Sequence, residues 1–251
     1  MNRVKALILC AGYATRMYPL TKNRPKALLT VAGRPIVEHI LEKLEDMLEI
    51  DTIYIVTNVK FFLLFKNWQK TYCGKKKILI LSDGTTSDDN KLGAVGDITF
   101  VIDHARINDN LLVVAGDNLF TFNLYKLVQF FRKKGITIAV HELKNKSLIK
   151  KYNEVRLDNQ HRILSLVEKP VQPTSTLAAI CLYILPRDTL KLIHEYIKEG
   201  NNPDEPGRYV EWLYKRERVF GYVFTEPWYD IGDVKQYEQA NKEFTEQCRE
   251  D

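Results

Sequence analysis

Residues 4–10, VKALILC, are a continuous apolar run with charge before them and a glycine-bearing loop behind. So short and apolar a run reads as a strand buried on both sides, which requires a sheet with helices packed on each face. The next segment fits that requirement, because IVEHILEKLEDML (36–48) sets Ile36, Ile40, Leu41, Leu44 and Leu48 at helical spacing. The alternation continues with TIYIVTN (52–58) as strand, KFFLLFKNWQKTY (60–72) as helix and KILIL (77–81) as strand. AVGDITFVIDHA (94–105) follows as helix, and NLLVVAGDN (110–118) as strand and loop. Alternation with short connections predicts an α/β fold built on a Rossmann-like, doubly wound, mostly parallel sheet. Such sheets bind ligands beyond the carboxyl ends of their strands. Leu9, Ala11 and Gly12 lie at the end of the first strand and Gly116 at the end of the fourth.

After residue 135 the pattern changes. TIAVHEL (137–143), NEVRLD (153–158), ILSLVE (163–168) and LAAICLYIL (177–185) are strands in close succession, followed by a helix at 187–199. This predicts a small antiparallel extension built onto the first sheet. No linker rich in Gly, Ser or Pro interrupts the chain, so residues 1–251 read as one domain. Its two functional lobes are residues 1–135 and 136–233, closed by a charged helix at 234–247.

Between Cys10 and Val37 stand five cations (Arg16, Lys22, Arg24, Lys26 and Arg34) and no carboxylate. The whole chain has 37 basic and 32 acidic residues, an excess of five, so this one segment holds as much positive charge as that excess. A loop behind a strand can converge backbone N–H groups on an anion, and Arg and Lys add charge. The segment lacks the Walker spacing of glycine before Gly-Lys-Ser/Thr, and Ala14 takes the place of the second glycine of GxGxxG. It is a third kind of phosphate loop.

Cys10, Cys73, Cys181 and Cys248 are scattered, without CxxC or histidines at zinc spacing, which predicts free thiols in a reducing, cytoplasmic setting. No run approaches the roughly 18 apolar residues of a membrane span. The basic patches GKKK (74–77) and KNKSLIKK (144–151) lack interleaved aromatics. Neither nucleic acid nor a membrane is expected as a partner.

The loop residues Leu9, Gly12, Thr15-Arg16, Pro19-Leu20-Thr21, Pro25-Lys26 and Leu28-Leu29 carry a resemblance. They are similar to the signature LxxGxGTRLxPLTxxxPKxLLPVxxxP of the sugar-phosphate nucleotidylyltransferases. GDN (116–118), VEKP (167–170) and WYDIGD (228–233) follow in the same order, so the likeness extends from residue 4 to about 245. It implies the nucleotide-diphospho-sugar transferase type of fold. It also implies transfer of a nucleoside monophosphate from a nucleoside triphosphate to a sugar 1-phosphate, with release of pyrophosphate and a requirement for Mg2+.

By the same resemblance Arg16 meets the β- and γ-phosphates, and Lys26 the α-phosphate and the incoming phosphate. Asp117 and Asp230 hold the metal, Glu168 takes sugar hydroxyls and Lys169 the sugar phosphate. Arg16, Lys26 and Asp117 are then the catalytic candidates. SDGTTSDDNKLGAVGD (82–97) resembles the base-reading segment, with Ser82, Asp83 and Gly93 as candidates beside Leu9, Ala11, Gly12 and Gly116. Asn153 and Glu211 are further acceptor-site candidates, Glu211 from a loop expected at PDEPGRYVEWL (203–213). Asp233 is the expected N-cap of the last helix, and Trp228 is expected to pack rather than stack on ligand.

Three positions depart from the family pattern: Ala14 for glycine, Asn153-Glu154 after Tyr152, and Ile180-Cys181 before Leu182-Tyr183. They leave sugar identity open, as the loop leaves the base. Two other activities stay open. A cytidylyltransferase acting on an alcohol phosphate such as phosphocholine would need an aromatic acceptor pocket. A non-catalytic nucleotide-sugar sensor would need no conserved metal carboxylates. Oligomeric state is not legible, and a homo-oligomer is compatible with the chain.

Overall fold

The computed structural model describes residues 3–250, with side chains described through residue 246. Strand β1 (Val4–Leu9) runs into the cationic loop, a hairpin of β2 (Thr30–Val31) and β3 (Arg34–Pro35), and helix α1 (Ile36–Glu45). β4 (Ile50–Thr57), α2 (Val59–Thr71), β5 (Lys77–Ser82), α3 (Ala94–His104) and β6 (Asn110–Ala115) continue the alternation. A short β7 (Asn118–Phe120) and α4 (Leu124–Lys134) precede β8 (Thr137–Glu142), β9 (Asn153–Leu157), β10 (Ile163–Glu168) and β11 (Leu177–Leu185). The chain ends with α5 (Lys191–Lys198), α6 (Pro206–Leu213), β12 (Phe220–Phe224), β13 (Trp228–Asp230) and α7 (Val234–Glu250).

The main sheet has nine strands, ordered β10-β9-β11-β6-β1-β4-β5, with β8 pairing β11 and β12 off that path. Its centre, β6-β1-β4-β5, is parallel. The extension begins at β11 and is antiparallel except where β12 joins β8 in parallel; β11 forks, residues 182–185 pairing with β6 and residues 177–179 with β9. The fork opens the sheet beside the carboxyl ends of β1 and β6, where a ligand can enter.

The period of two along β1 builds both cores. Val4, Ala6 and Ile8 face α1, α2 and α4, while Leu7 faces α3, α5 and α6. A third cluster, including Met17, Val31, Ile36 and Ile231, is closed by Ala240 and Phe244 of α7. The last helix is thereby fastened to the cationic loop, and Ala32 N donates to Asn241 Oδ1 at 3.0 Å. Among the described residues no helix is long and apolar enough to cross a membrane.

The elements differ from the sequence reading in several places. Helix α1 stops at Glu45, so Leu48 lies beyond it at 89% exposure instead of completing the apolar face. Residues 206–213, expected as loop, form α6: Pro206 sits in its first turn, where its missing N–H costs nothing, and Tyr209, Val210, Trp212 and Leu213 are buried. Helix α4 and strand β12 had no counterpart, although Leu124, Leu127, Val128 and Phe131 keep helical spacing.

Candidate active site

A cleft of about 750 Å3 lies at the carboxyl ends of β1 and β6 and extends to the β11 fork. Its lining includes Leu9, Ala11, Gly12, Arg16, Lys26, Asp83, Gly93, Gly116, Asp117, Asn153, Glu168, Lys169 and Asp230. The cationic loop is held in shape from within. Ala14 adopts the left-handed conformation (φ 48°, ψ 42°), and Thr21 Oγ1 donates to its carbonyl at 2.7 Å. For a residue with a Cβ that conformation costs about 1–2 kcal/mol; Met17, three residues on, is fully buried. Asn58, the buried N-cap of α2, donates to Ala11 O at 2.8 Å and accepts from Phe61 N. Of the five loop cations, Arg16 and Lys26 line the cleft, while Lys22 and Arg24 face solvent and Arg34 pairs with Glu42 at 2.7 Å.

Gly116 brings β6 against the end of β1. Its N–H donates to Leu9 O at 2.9 Å, and a Cβ there would meet Cys10 Sγ at 2.4 Å. Asp117 therefore emerges beside the cationic loop, its Oδ2 2.7 Å from Lys26 Nζ. Asp230 reaches the same point from β13, whose ladder sets it opposite Asn118, with Ile231 N donating to Asp117 O at 3.1 Å. Asn118 donates to Asp117 Oδ1 at 2.9 Å and accepts from Trp228 Nε1 at 2.7 Å. Trp228 thus lines the cleft and orients Asn118, beyond the packing expected of it.

The two carboxylates differ electrostatically. Burial raises both, but at Asp117 the Lys26 ammonium outweighs it and holds the carboxyl below its ordinary range. At Asp230 burial, and then the charge on Asp117, push the value up to about 7. Such a pair of hard oxygen donors under mutual repulsion suits a small divalent cation, since magnesium takes one or two protein carboxylates and completes its shell with phosphate and water. Among the described residues no cluster of three or more His, Cys, Asp or Glu offers a rival protein cage.

One end of the cleft carries a second acid pair. Asp97, on α3 and 6% exposed, is hydrogen-bonded to Asp83; burial, and then the Asp83 charge, push its carboxyl up to about 8. Asp83 accepts from Thr85 N and Oγ1, both at 2.8 Å. Because the Thr85 hydroxyl donates to Asp83, the Tyr13 hydroxyl, 3.1 Å away, is the donor to Thr85. Neutral Asp97 is the proton-bearing partner of the pair.

At the other end, β9 and β10 set Asn153 directly opposite Glu168. Lys169 follows in the left-handed region (φ 44°), its Nζ 2.8 Å from Glu205 and 3.4 Å from Glu168. Burial raises the Glu168 carboxyl, with Lys169 opposing. The β11 fork supplies Ala179, Ile180 and Cys181 to the cleft wall.

Residues 5–247 match the sequence profile of the Nucleotidyl transferase family. The chain belongs to that family. It is 32% identical over 240 residues to the bifunctional protein GlmU of Methanocaldococcus jannaschii, covering 94% of this chain and 53% of that protein. It is 28% identical over 242 residues to the bifunctional sugar-1-phosphate nucleotidylyltransferase/acetyltransferase of Sulfurisphaera tokodaii, covering 95% and 55%. The chain therefore spans about half the length of these relatives. In fold it resembles a UDP-glucose pyrophosphorylase solved with UDP-glucose, with a TM-score of 0.81 at 23% identity over 98% of this chain and 100% of that one.

The fold gathers most of the residues singled out from sequence, but not all. Ser82 ends β5 outside the cleft lining and accepts from Gly84 N at 3.4 Å. Glu211 also lies outside: the N-terminal end of α6 faces the cleft, and Glu211, more than a turn further on, pairs with Lys215 at 3.2 Å beside a separate depression. Conversely, Tyr13, Lys91, Asp97, Asp204 and Glu205 line the cleft without having been proposed. Asp97 had one sequence signal, a carboxylate within the apolar run of a helix. Of the departures from the family pattern, Glu154 is structural, accepting from Thr174 N and Ser175 N at 2.7 Å. Asp233 accepts from Gln236 N at 2.8 Å, as an N-cap does.

Proposed function

We propose that this chain transfers a nucleoside monophosphate from a nucleoside triphosphate to a sugar 1-phosphate, with Mg2+, yielding a nucleoside diphosphate sugar and pyrophosphate. The observation that carries the reading is the junction at mid-cleft, where Lys26, Asp117 and Asp230 meet between a loop bearing Gly12 and Arg16 and a wall bearing Asn153, Glu168 and Lys169. That order along one cleft matches the order of groups in the reaction: triphosphate, reacting phosphorus, acceptor phosphate, sugar.

Phosphoryl transfer asks the protein for positioning and for charge placed where negative charge develops. An oxygen of the sugar 1-phosphate attacks the α-phosphorus, the bond from that phosphorus to its bridging oxygen breaks, and pyrophosphate leaves with the electron pair. Arg16 holds the departing phosphates, and Lys26 offsets charge on the α-phosphate and the incoming phosphate. Asp117 and Asp230 would hold Mg2+, which when bound supplies a counter-charge for the phosphates. Glu168 accepts hydrogen bonds from sugar hydroxyls and Lys169 meets the sugar phosphate. The free Cys10, Cys73 and Cys181 favour a reducing, cytoplasmic setting.

The test is pyrophosphate release with Mg2+ across dTTP, UTP, CTP, GTP and ATP against glucose, N-acetylglucosamine and mannose 1-phosphates, with phosphocholine as a further acceptor. A signal dependent on a sugar phosphate supports the reading and names both substrates. A signal with phosphocholine alone replaces it with the alcohol-phosphate activity, and silence from folded, nucleotide-binding protein favours the sensor. Asp117→Ala is expected to fold and to lose turnover by orders of magnitude; near-normal turnover would sink the role given to that carboxylate.

A further inference from the structure

Residues 202–207, from the loop after α5 into the first turn of α6, cross from one wall of the cleft to the other. Their start is anchored from outside by the Tyr196 hydroxyl, which donates to Asn202 O at 2.7 Å, and is shaped from within by Asp204 N, which donates to Asn202 Oδ1 at 2.8 Å. On the nucleotide side, Val95 N donates to Pro203 O at 2.8 Å. This N–H lies in the first turn of α3, where the N-cap is Gly93 and no side chain can satisfy it. The approach is so close that a Cβ on Gly93 (φ 79°) would stand 2.6 Å from both Pro203 O and Asp204 Cα. Asp204 then takes Lys91 Nζ at 2.9 Å, and Asp88 lies 3.5 Å from the same ammonium.

On the acceptor side, Glu205 holds Lys169 Nζ at 2.8 Å and also accepts from Arg208 Nε. Gly207 rests on the residues that would hold the sugar: a Cβ there would lie 2.3 Å from Glu168 Oε2 and 2.5 Å from the Asn153 side-chain amide. Two consecutive acids thus each hold one cleft lysine, at opposite ends, on a segment touching both walls through glycine. A purely structural connection would need neither the two lysines nor the two close approaches.

We propose that residues 202–207 couple the two ends of the cleft, with Asp204 and Glu205 as positioning residues acting through Lys91 and Lys169. The inference rests on the transferase reading above. A substrate oxygen that recruits either lysine, from the nucleotide at Lys91 or from the sugar phosphate at Lys169, competes with its carboxylate. Because the carboxylates are neighbours on one tethered segment, loosening one alters the setting of the other. The two substrates then change each other's affinity, and by thermodynamic linkage they do so reciprocally.

Asp204→Asn and Glu205→Gln, singly and together, test this with the nucleotide and acceptor that the wild type turns over best. Asp204→Asn, at the nucleotide end, is expected to raise the acceptor KM roughly five- to tenfold, and Glu205→Gln to raise the nucleotide KM by a similar factor, the lower end of the usual range of coupling between sites. kcat should change less, and the double variant should fall short of the product of the single effects. Lys91→Met breaks the Asp204 pair from the opposite wall and must move the acceptor KM in the same direction, so a poorly folding Asp204→Asn leaves the proposal testable. Effects confined to the substrate at the mutated end, independent effects that multiply, or no effect would each overturn the coupling while wild-type turnover still upholds the transferase. A wild type silent with every pair would overturn both.

Discussion

Replacing Asp97 by asparagine isolates the proton that the acid pair holds. The asparagine amide can make the bond to Asp83 that the neutral carboxyl makes, so the fold loses no partner, but it cannot ionise. In the wild type, burial and the facing charges of Asp83 and Asp204 lift Asp97 from an ordinary 3.8 to about 8. Between those values the folded chain keeps a proton that the unfolded chain has released, so stability falls as pH rises. The steepest slope is about 1.4 kcal/mol per pH unit, and the loss between pH 5 and pH 8 sums to about 3.5 kcal/mol. Asp97→Asn lacks this contribution, so its stability relative to wild type should grow by that amount over the interval. Urea titrations of ligand-free protein would show the two midpoints separating by about 1 M or more, given slopes of about 1–3 kcal/mol per molar. Midpoints that run parallel from pH 5 to pH 8 would refute the reasoning, because they would mean that Asp97 ionises normally in the folded chain.

Other substitutions probe the supports of the site. Trp228→Phe removes the donor to Asn118, a residue 3% exposed; thermal melts should show a loss of about 1–3 kcal/mol, and kcat should fall as Asn118 ceases to hold Asp117. Asp233→Ala removes the hydrogen bond to Gln236 N and should cost about 1 kcal/mol, a fall of about 2–4 °C in Tm for a chain of this size. Gly116→Ala forces a methyl to 2.4 Å from Cys10 Sγ and 2.9 Å from Leu9 O; the crowding should destabilise by about 1–3 kcal/mol and, by displacing Asp117, depress turnover beyond what the melt explains.

The parts of this molecule that could be read in advance are those with a period or a fixed spacing. The continuous apolar run of VKALILC and the spacing of Ile40, Leu41 and Leu44 report burial directly, because such a strand must face a core on both sides and such a helix on one. Errors came where local composition outweighed pattern, or where a pattern was carried past the end of its element. The prolines, acids and glycine of PDEPG argued for loop, yet Tyr209, Val210 and Leu213 bury one face of α6 and override them. Leu48 continued a helical pattern past the point where the chain turns at Asp46. Glu211 was proposed as a residue of a loop, and once α6 forms, its position along the helix carries it away from the cleft.

The amino-acid sequence by itself determined the alternation of strands and helices from β1 to β6, the unopposed charge of the loop behind β1, and the acids and lysines at strand ends. These depend on neighbours a few residues apart. Only the tertiary structure decided which of those groups meet: Lys26 with Asp117, Asp97 with Asp83, Lys91 with Asp204 and Lys169 with Glu205. Each pair joins distant or differently folded segments, and its distance is set by how β6 lies against β1, how β11 forks, and how α6 packs beneath β10. No periodicity records those placements, because they result from packing all the elements around two shared cores at once.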